Sequence, residues 1–159
     1  MSVNIRVGLQ PGDLGYITYL HGKIYADEYG FDTSFEPYVT RPMSEFSLSD
    51  NHRQRIWVAE KDDKVVGSIA IVDAGDNMAQ LRWLILISDV RGMGLGRKLV
   101  GLALDFCRAE GYDGVFLWTV SILEAAASLY RSYGFDVSEE KTHQLWGKVL
   151  TEQRYDLKL

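Results

Sequence analysis

From residue 55 onward the apolar positions fall into a sharp order. Ile56 to Glu60 reads as a strand and Asp62-Asp63 as a hairpin turn. Val65 to Val72 is the return strand, and Ala74-Gly75-Asp76-Asn77 is the next turn. Met78 to Ile87, dense in Leu, Ile and Trp, makes a third strand of an antiparallel meander. The period then changes. Leu95, Leu99, Leu102, Ala103 and Phe106 mark one face of a helix that ends near Gly111. Val115 to Val120 is again a strand, so the unit strand–helix–strand predicts a parallel, right-handed crossover. Ser121 followed by Glu124 has the spacing of a capping box opening a helix that ends at Gly134. Phe135 to Glu139 and Tyr155 to Leu159 read as two closing strands.

The first third is aromatic-rich and less periodic. Val3 to Leu9 alternates weakly, as a short strand would. Pro11-Gly12-Asp13 is a turn ahead of a helix from Leu14 to Tyr29, in which Tyr16, Tyr19, Leu20, Ile24 and Tyr25 space helically and Gly30 is the stop. Phe35 to Phe46 predicts a second helix, interrupted near Pro42. The expected fold is α/β (α+β): one domain over residues 1–159, a mixed and mostly antiparallel sheet with helices on both faces.

Composition narrows the class. The chain has 159 residues, 47% hydrophobic and 25% charged, enough apolar content for a core. Lys plus Arg number 17 against 22 Asp plus Glu, a formal charge of −5 with no basic cluster, which argues against nucleic acid as a partner. Cys107 is the sole cysteine, so no intrachain disulfide can form and a reducing, cytoplasmic setting is expected. Met1 to Asp13 lacks the apolar run of a signal peptide, and Leu84 to Ile87 is far too short to span a bilayer. His21 and His52 stand in no metal-ligand spacing with Cys107, so no metal is expected.

Candidate chemistry begins at Arg91-Gly92-Met93-Gly94-Leu95-Gly96-Arg97, between a strand and an amphipathic helix. Free backbone N–H groups and the helix dipole favour an anion there, and glycine lets the backbone approach a phosphate. The loop is not a Walker A motif, because Gly96 is followed by Arg97 and Lys98. Glycines at 92, 94 and 96 also miss the dinucleotide fingerprint G-x-G-x-x-G. A turn that merely joins strand to helix would look similar.

Arg91 to Gly96 resembles the Q/R-x-x-G-x-G/A loop of the GNAT superfamily of acyl-CoA N-acyltransferases, and Ala126-Ala127-Ser128-Leu129-Tyr130-Arg131-Ser132-Tyr133-Gly134-Phe135 is similar to that family's A-x-x-L-Y-x-x-x-G-F. The order of elements agrees over residues 3 to 159. Leu81-Arg82-Trp83, His143 to Gly147 and Asp156 to Leu159 resemble more closely the acetyltransferase halves fused to MarR-type regulators, here without a winged-helix half. The resemblance implies an acetyl-CoA-dependent N-acetyltransferase whose loop Arg91, Gly92, Met93, Gly94, Leu95, Gly96 and Arg97 wraps the coenzyme A pyrophosphate. It implies that the backbone of Leu84, Ile85 and Leu86 pairs with the pantetheine arm, and that Tyr130 is the general acid. A phenol titrating near about 10 suits a thiolate leaving group of similar basicity.

Two departures stand out. Leu123 occupies the position where many members carry an Asn against pantetheine, and Met78 to Ile87 contains no carboxylate to act as base. Base candidates are Asp27, Glu28, Asp32 and above all Glu36 in the N-terminal segment, with His143 as another; solvated surface acids and a structural histidine are the bland readings. Arg82 on an otherwise apolar strand calls for a carboxylate, from the substrate or from Glu36, unless it only packs its stem on the sheet. The expected partner is a small-molecule amine, amino-acid-like or otherwise, with homodimerisation left open. Two other classes stay in view: a non-catalytic acyl-CoA sensor or partner domain, and an unrelated nucleotide-phosphate binder.

Overall fold

The structure, a computed structural model, describes residues 2–159. Among them one seven-stranded sheet runs in the order β1-β2-β3-β4-β5-β7-β6. The strands are β1 (Asn4–Val7), β2 (Arg55–Lys61), β3 (Lys64–Asp73), β4 (Met78–Leu86), β5 (Gly114–Val120), β6 (Asp136–Leu145) and β7 (Lys148–Lys158). The helices are α1 (Asp13–Tyr29), α2 (Phe35–Leu48), α3 (Leu95–Ala109) and α4 (Glu124–Ser132). All neighbouring strands are antiparallel except β4 and β5, which the α3 crossover makes parallel.

The turns follow from residues that tolerate positive φ. Asp62 and Asp63 take φ of 53° and 61°, as a tight hairpin requires. Gly30 ends α1 at φ 71°, its N–H bonding back into the last turn. Each face of the sheet carries a core. On one face Leu99, Ala103 and Leu104 of α3 bury against Ile69, Leu81, Val115 and Leu117. On the other, Ile17 of α1 and Phe35, Val39 and Met43 of α2 bury against Ile56, Val58, Trp83 and Val120.

Three expectations need correction. The α2 helix is not interrupted at Pro42 but runs through it, because Val39 and Met43 anchor its inner face on both sides. Ser121 does not cap α4: Leu123 holds the cap position without a side-chain bond, since the Leu123 N–H closes a turn onto the Val120 carbonyl at 3.0 Å. The closing strands are far longer than expected, and join through a two-residue turn in which Trp146 and Gly147 have φ of 51° and 84°.

The feature that positions a site is the parting of β4 and β5. They pair only where Met78–Gln80 meets Gly114–Phe116. Beyond that point Leu81–Leu86 and Leu117–Val120 lie apart, so facing backbone N–H and C=O groups have no partner across the gap. A bulge on β4 accompanies the parting. Ser68 pairs Ile85 but Ala70 pairs Arg82, and Trp83 takes φ 55°. Such a backbone costs about 1–3 kcal/mol in a bulky residue unless the surroundings hold it. Here the Ser68 hydroxyl donates to the Trp83 carbonyl at 2.8 Å, and the indole packs edge-on to Phe46 at 5.5 Å. The extra residue switches the strand's facing: Leu81 belongs to the α3 side, Trp83 to the α1–α2 side.

Candidate active site

The gap between β4 and β5 opens into a cavity of about 500 Å³. Its floor is Gln80 to Leu86 on one side and Trp118 to Val120 on the other. The glycine loop and the α4 residues Ala126, Leu129 and Tyr130 close one end, and aromatics of α1, α2 and the β6–β7 hairpin cover the other. The hairpin is latched there: the Asp32 N–H donates to the Trp146 carbonyl at 3.0 Å and Lys148 Nζ to the Tyr29 carbonyl at 2.8 Å.

At the loop end, Gly92 and Gly94 take φ of 76° and 80°, and a Cβ on either would meet no atom within 4 Å. These glycines therefore serve conformation and an open approach, not tight packing. No side chain caps α3; the first bond back to the Gly94 carbonyl comes from the Lys98 N–H at 3.0 Å. The amides of Leu95, Gly96 and Arg97 are thus left for an anion. The Arg91 guanidinium is already engaged: it donates to the Leu86 carbonyl at 2.9 Å and, from both terminal nitrogens, to Glu28 of α1 at 2.8 and 2.9 Å. Met93 is exposed and does not line the cavity.

Tyr130 projects from α4 into the cavity. Its ring is wedged between Phe135 at 5.9 Å and Tyr155 at 6.0 Å. Among the described residues its hydroxyl has no hydrogen-bond partner. Burial, with the nearby Tyr25 and Tyr155, pushes its pKa well above the ordinary phenol value. Tyr133, one turn on, is structural: its hydroxyl donates to the Arg97 carbonyl at 2.7 Å, tying α4 to α3.

Much of the chain matches the model of the acetyltransferase (GNAT) family, over residues 22–135. The chain belongs to that family. Among curated relatives, the probable N-acetyltransferase camello of Xenopus tropicalis is 30% identical over 158 residues, covering 89% of this chain and 71% of that protein. Human N-acetyltransferase 8B is 33% identical over 99 residues; the match spans 59% of this chain but only 44% of that longer protein. A solved putative acetyltransferase of Salmonella typhimurium, with its cofactor acetyl-CoA, superposes with a TM-score of 0.76 at 19% identity, covering 98% of this chain and 93% of the other, a likeness of fold.

The chain spans about half the length of most of the curated relatives it matches. The structure brings most of the sequence-derived site residues to one cavity: Leu84, Ile85, Leu86, Arg91, Gly92, Gly94, Leu95, Gly96, Arg97 and Tyr130 all line it. Met93 and Glu36 are the exceptions: neither lines the cavity, so the geometry does not bring Glu36 to the place expected of a base. Phe35 and Val39 face inward from α2, which turns Glu36 outward over Gly22 of α1. Asp27 pairs with Lys23, and Asp32 bonds the Ser34 amide outside the cavity. Arg82 does line the cavity but is not paired with Glu36; its guanidinium lies 5.2 Å from the Trp83 ring. His143 does not line the cavity, but its Nε2 is 2.5 Å from Oε1 of Glu152, which does. Nothing in the sequence marks Glu152, because β7 reads there as a polar run without an alternating pattern. No helix among the described residues is long and apolar enough to cross a membrane.

Proposed function

We propose that this chain moves an acetyl group from acetyl-CoA to the primary amine of a small molecule, by direct attack within a ternary complex. The observation that carries this reading is the parted β4–β5 pair with an unbonded phenol at its end. Pantetheine, an amide-bearing chain, can occupy the gap and pair with the backbone of Leu84, Ile85 and Leu86, as an added strand would. The pyrophosphate is assigned to the free amides at the start of α3.

The neutral amine attacks the thioester carbonyl carbon, forming the C–N bond and placing charge on the oxygen. A β4 backbone N–H is suited to receive that charge. Collapse breaks the C–S bond, and the Tyr130 hydroxyl gives its proton to the departing thiolate. The phenolate regains a proton as the amide nitrogen loses its excess one. Leu123, which lines the cavity without offering a polar group, keeps the sensor reading as the competitor.

Calorimetric titration tests the cofactor assignment. Wild type should bind acetyl-CoA in preference to ATP or NAD. Gly94→Val forces a β-branched residue to φ 80° at the mouth of the anion site, and should raise the acetyl-CoA Kd at least tenfold, about 1.4 kcal/mol. Unchanged binding by a folded Gly94→Val protein would remove the loop from the cofactor site.

A further inference from the structure

Five charged side chains line the cavity: Glu28 and Arg91 pair with each other, Arg97 donates to the Ser132 hydroxyl at the loop end, and Arg82 and Glu152 are left without an ion pair to each other. Arg82 of β4 makes no ion pair and no hydrogen bond among the described residues, although it is half-buried. Glu152 of β7 bonds His143 through Oε1, and its Oε2 has no partner among the described residues. No Arg82 nitrogen comes within 4.0 Å of a Glu152 oxygen, since no such ion pair forms. Tyr38 stands near both, its phenol raised by burial, then lowered by Arg82 and raised by Glu152. The other acid lining the cavity, Glu28, has both oxygens on Arg91. His21, also at the cavity, is bonded through Nδ1 to the Ile17 carbonyl at 2.8 Å. Beside the two charges lies a continuous aromatic wall. The Trp146 ring is 5.0 Å from Phe31, 4.7 Å from Phe35 and 5.1 Å from Tyr38.

We propose that the acceptor is an α-amino acid with a large apolar or aromatic side chain, bound as its zwitterion between Arg82 and Glu152, and that Glu152 takes the proton from its ammonium group. This rests on the acetyl-transfer reading above and names the acceptor for that same cavity. An unpaired, partly desolvated guanidinium favours a carboxylate, which it can grip with two parallel hydrogen bonds. An unpaired carboxylate favours the ammonium. The aromatic wall takes the side chain and excludes water. An α-amino acid carries all three groups on one carbon.

The same placement supplies the base that β4 lacks. An ammonium has no lone pair with which to attack. Its N–H bond breaks toward Glu152, the electron pair stays on nitrogen, and that pair then forms the C–N bond. With the His143 Nε2 accepting, the proton moves on to an imidazole that is 41% exposed, and so to water. The charged and titratable groups around Glu152 are His143 and Lys141 from β6 and Tyr38 from α2, and Arg82 of β4 stands beside the same Tyr38. Lys141, its cross-strand neighbour, is drawn aside onto the Trp118 ring at 4.9 Å.

The test measures initial rates of coenzyme A release with L-phenylalanine, L-tryptophan and L-leucine, each against its decarboxylated amine. Wild type, Arg82→Gln, Glu152→Gln and His143→Gln are compared, with acetyl-CoA binding measured by calorimetry as the check on folding. Wild type should prefer the amino acids by about 10²-fold in kcat/KM. Arg82→Gln should raise the KM for the amino acids and erase that preference. Glu152→Gln should lower kcat about 10²-fold at neutral pH with KM nearly constant, and recover at alkaline pH, where the substrate amine sheds its own proton. His143→Gln should lower kcat less. Equal turnover of amino acids and their decarboxylated amines, or no turnover of the amino acids by a protein that binds acetyl-CoA, overturns the acceptor. A Glu152→Gln deficit that is the same at every pH overturns the base. Failure of wild type to bind acetyl-CoA would instead strike down the acetyl-transfer reading itself.

Discussion

Replacing Tyr130 with phenylalanine removes one hydroxyl and nothing else from the cavity. The ring that packs on Phe135 and Tyr155 is kept. Among the described residues the hydroxyl has no partner, so no buried donor or acceptor is orphaned, and stability should change by less than about 1 kcal/mol. Acetyl-CoA affinity should also hold, because the amides of α3 and the edge of β4 are untouched. What is lost is the proton for the thiolate. Positioned general acids contribute about 10²- to 10⁴-fold, and coenzyme A is a fair leaving group, so the lower end applies. A fall of about 10²-fold in kcat corresponds to about 2.7 kcal/mol. Burial, followed by Tyr25 and Tyr155, raises the Tyr130 pKa above its ordinary value, so the phenol keeps its proton across an assay range of about pH 6–9. The deficit should therefore be as large at the alkaline end of that range as at neutrality. The assay is single-turnover acetyl transfer with saturating acetyl-CoA and one identified amine. A Tyr130→Phe rate constant within twofold of wild type would remove Tyr130 from the chemistry and favour the sensor reading.

Two further predictions concern the scaffold. Burial holds the His21 pKa down to about 4, against a smaller opposing effect of the Ile17 carbonyl, so the unfolded chain takes up a proton before the folded one does. The stability that neutral His21 contributes is complete above about pH 6.5 and is lost as pH falls toward 4, by about 3 kcal/mol in all; urea unfolding at a series of pH values should show this slope, and His21→Gln should flatten it. Ser68→Ala leaves the bulge carbonyl of Trp83 unbonded in a fully buried setting, and should cost about 1–3 kcal/mol in urea unfolding while raising the acetyl-CoA Kd; a loss under 0.5 kcal/mol would contradict the role given to that bond.

Hydrophobic period made most of the fold legible. The β2–β3–β4 meander, the α3 crossover and α1 with its Gly30 stop all appear where apolar spacing and turn residues place them. The closing hairpin was legible only in part. Most of β6 is exposed and polar on both faces, so no alternation marks its length. Its Trp146-Gly147 turn takes its role from tertiary contact, the indole packing against Phe31 and Phe35. At the site, the glycine loop and Tyr130 were readable because local backbone needs and a motif coincide there. The base candidate was not. Glu36 and Glu152 are equally acidic in one dimension, and only the rotation of α2 and the parting of the sheet bring one to the cavity and leave the other outside. The Trp83 bulge has no sequence signal either, since a tryptophan at positive φ runs against local preference and is held by tertiary contacts.

The central claim is that an amine bound in this cavity receives the acetyl group of acetyl-CoA. Mass spectrometry of a reaction with isotope-labelled acetyl-CoA and a panel of free amines and amino acids tests it most directly. The account predicts a labelled N-acetyl product formed in step with free coenzyme A, and formed about tenfold or more slowly at sub-saturating acetyl-CoA in the folded Gly94→Val protein. Tight acetyl-CoA binding with no labelled product from any amine would contradict it.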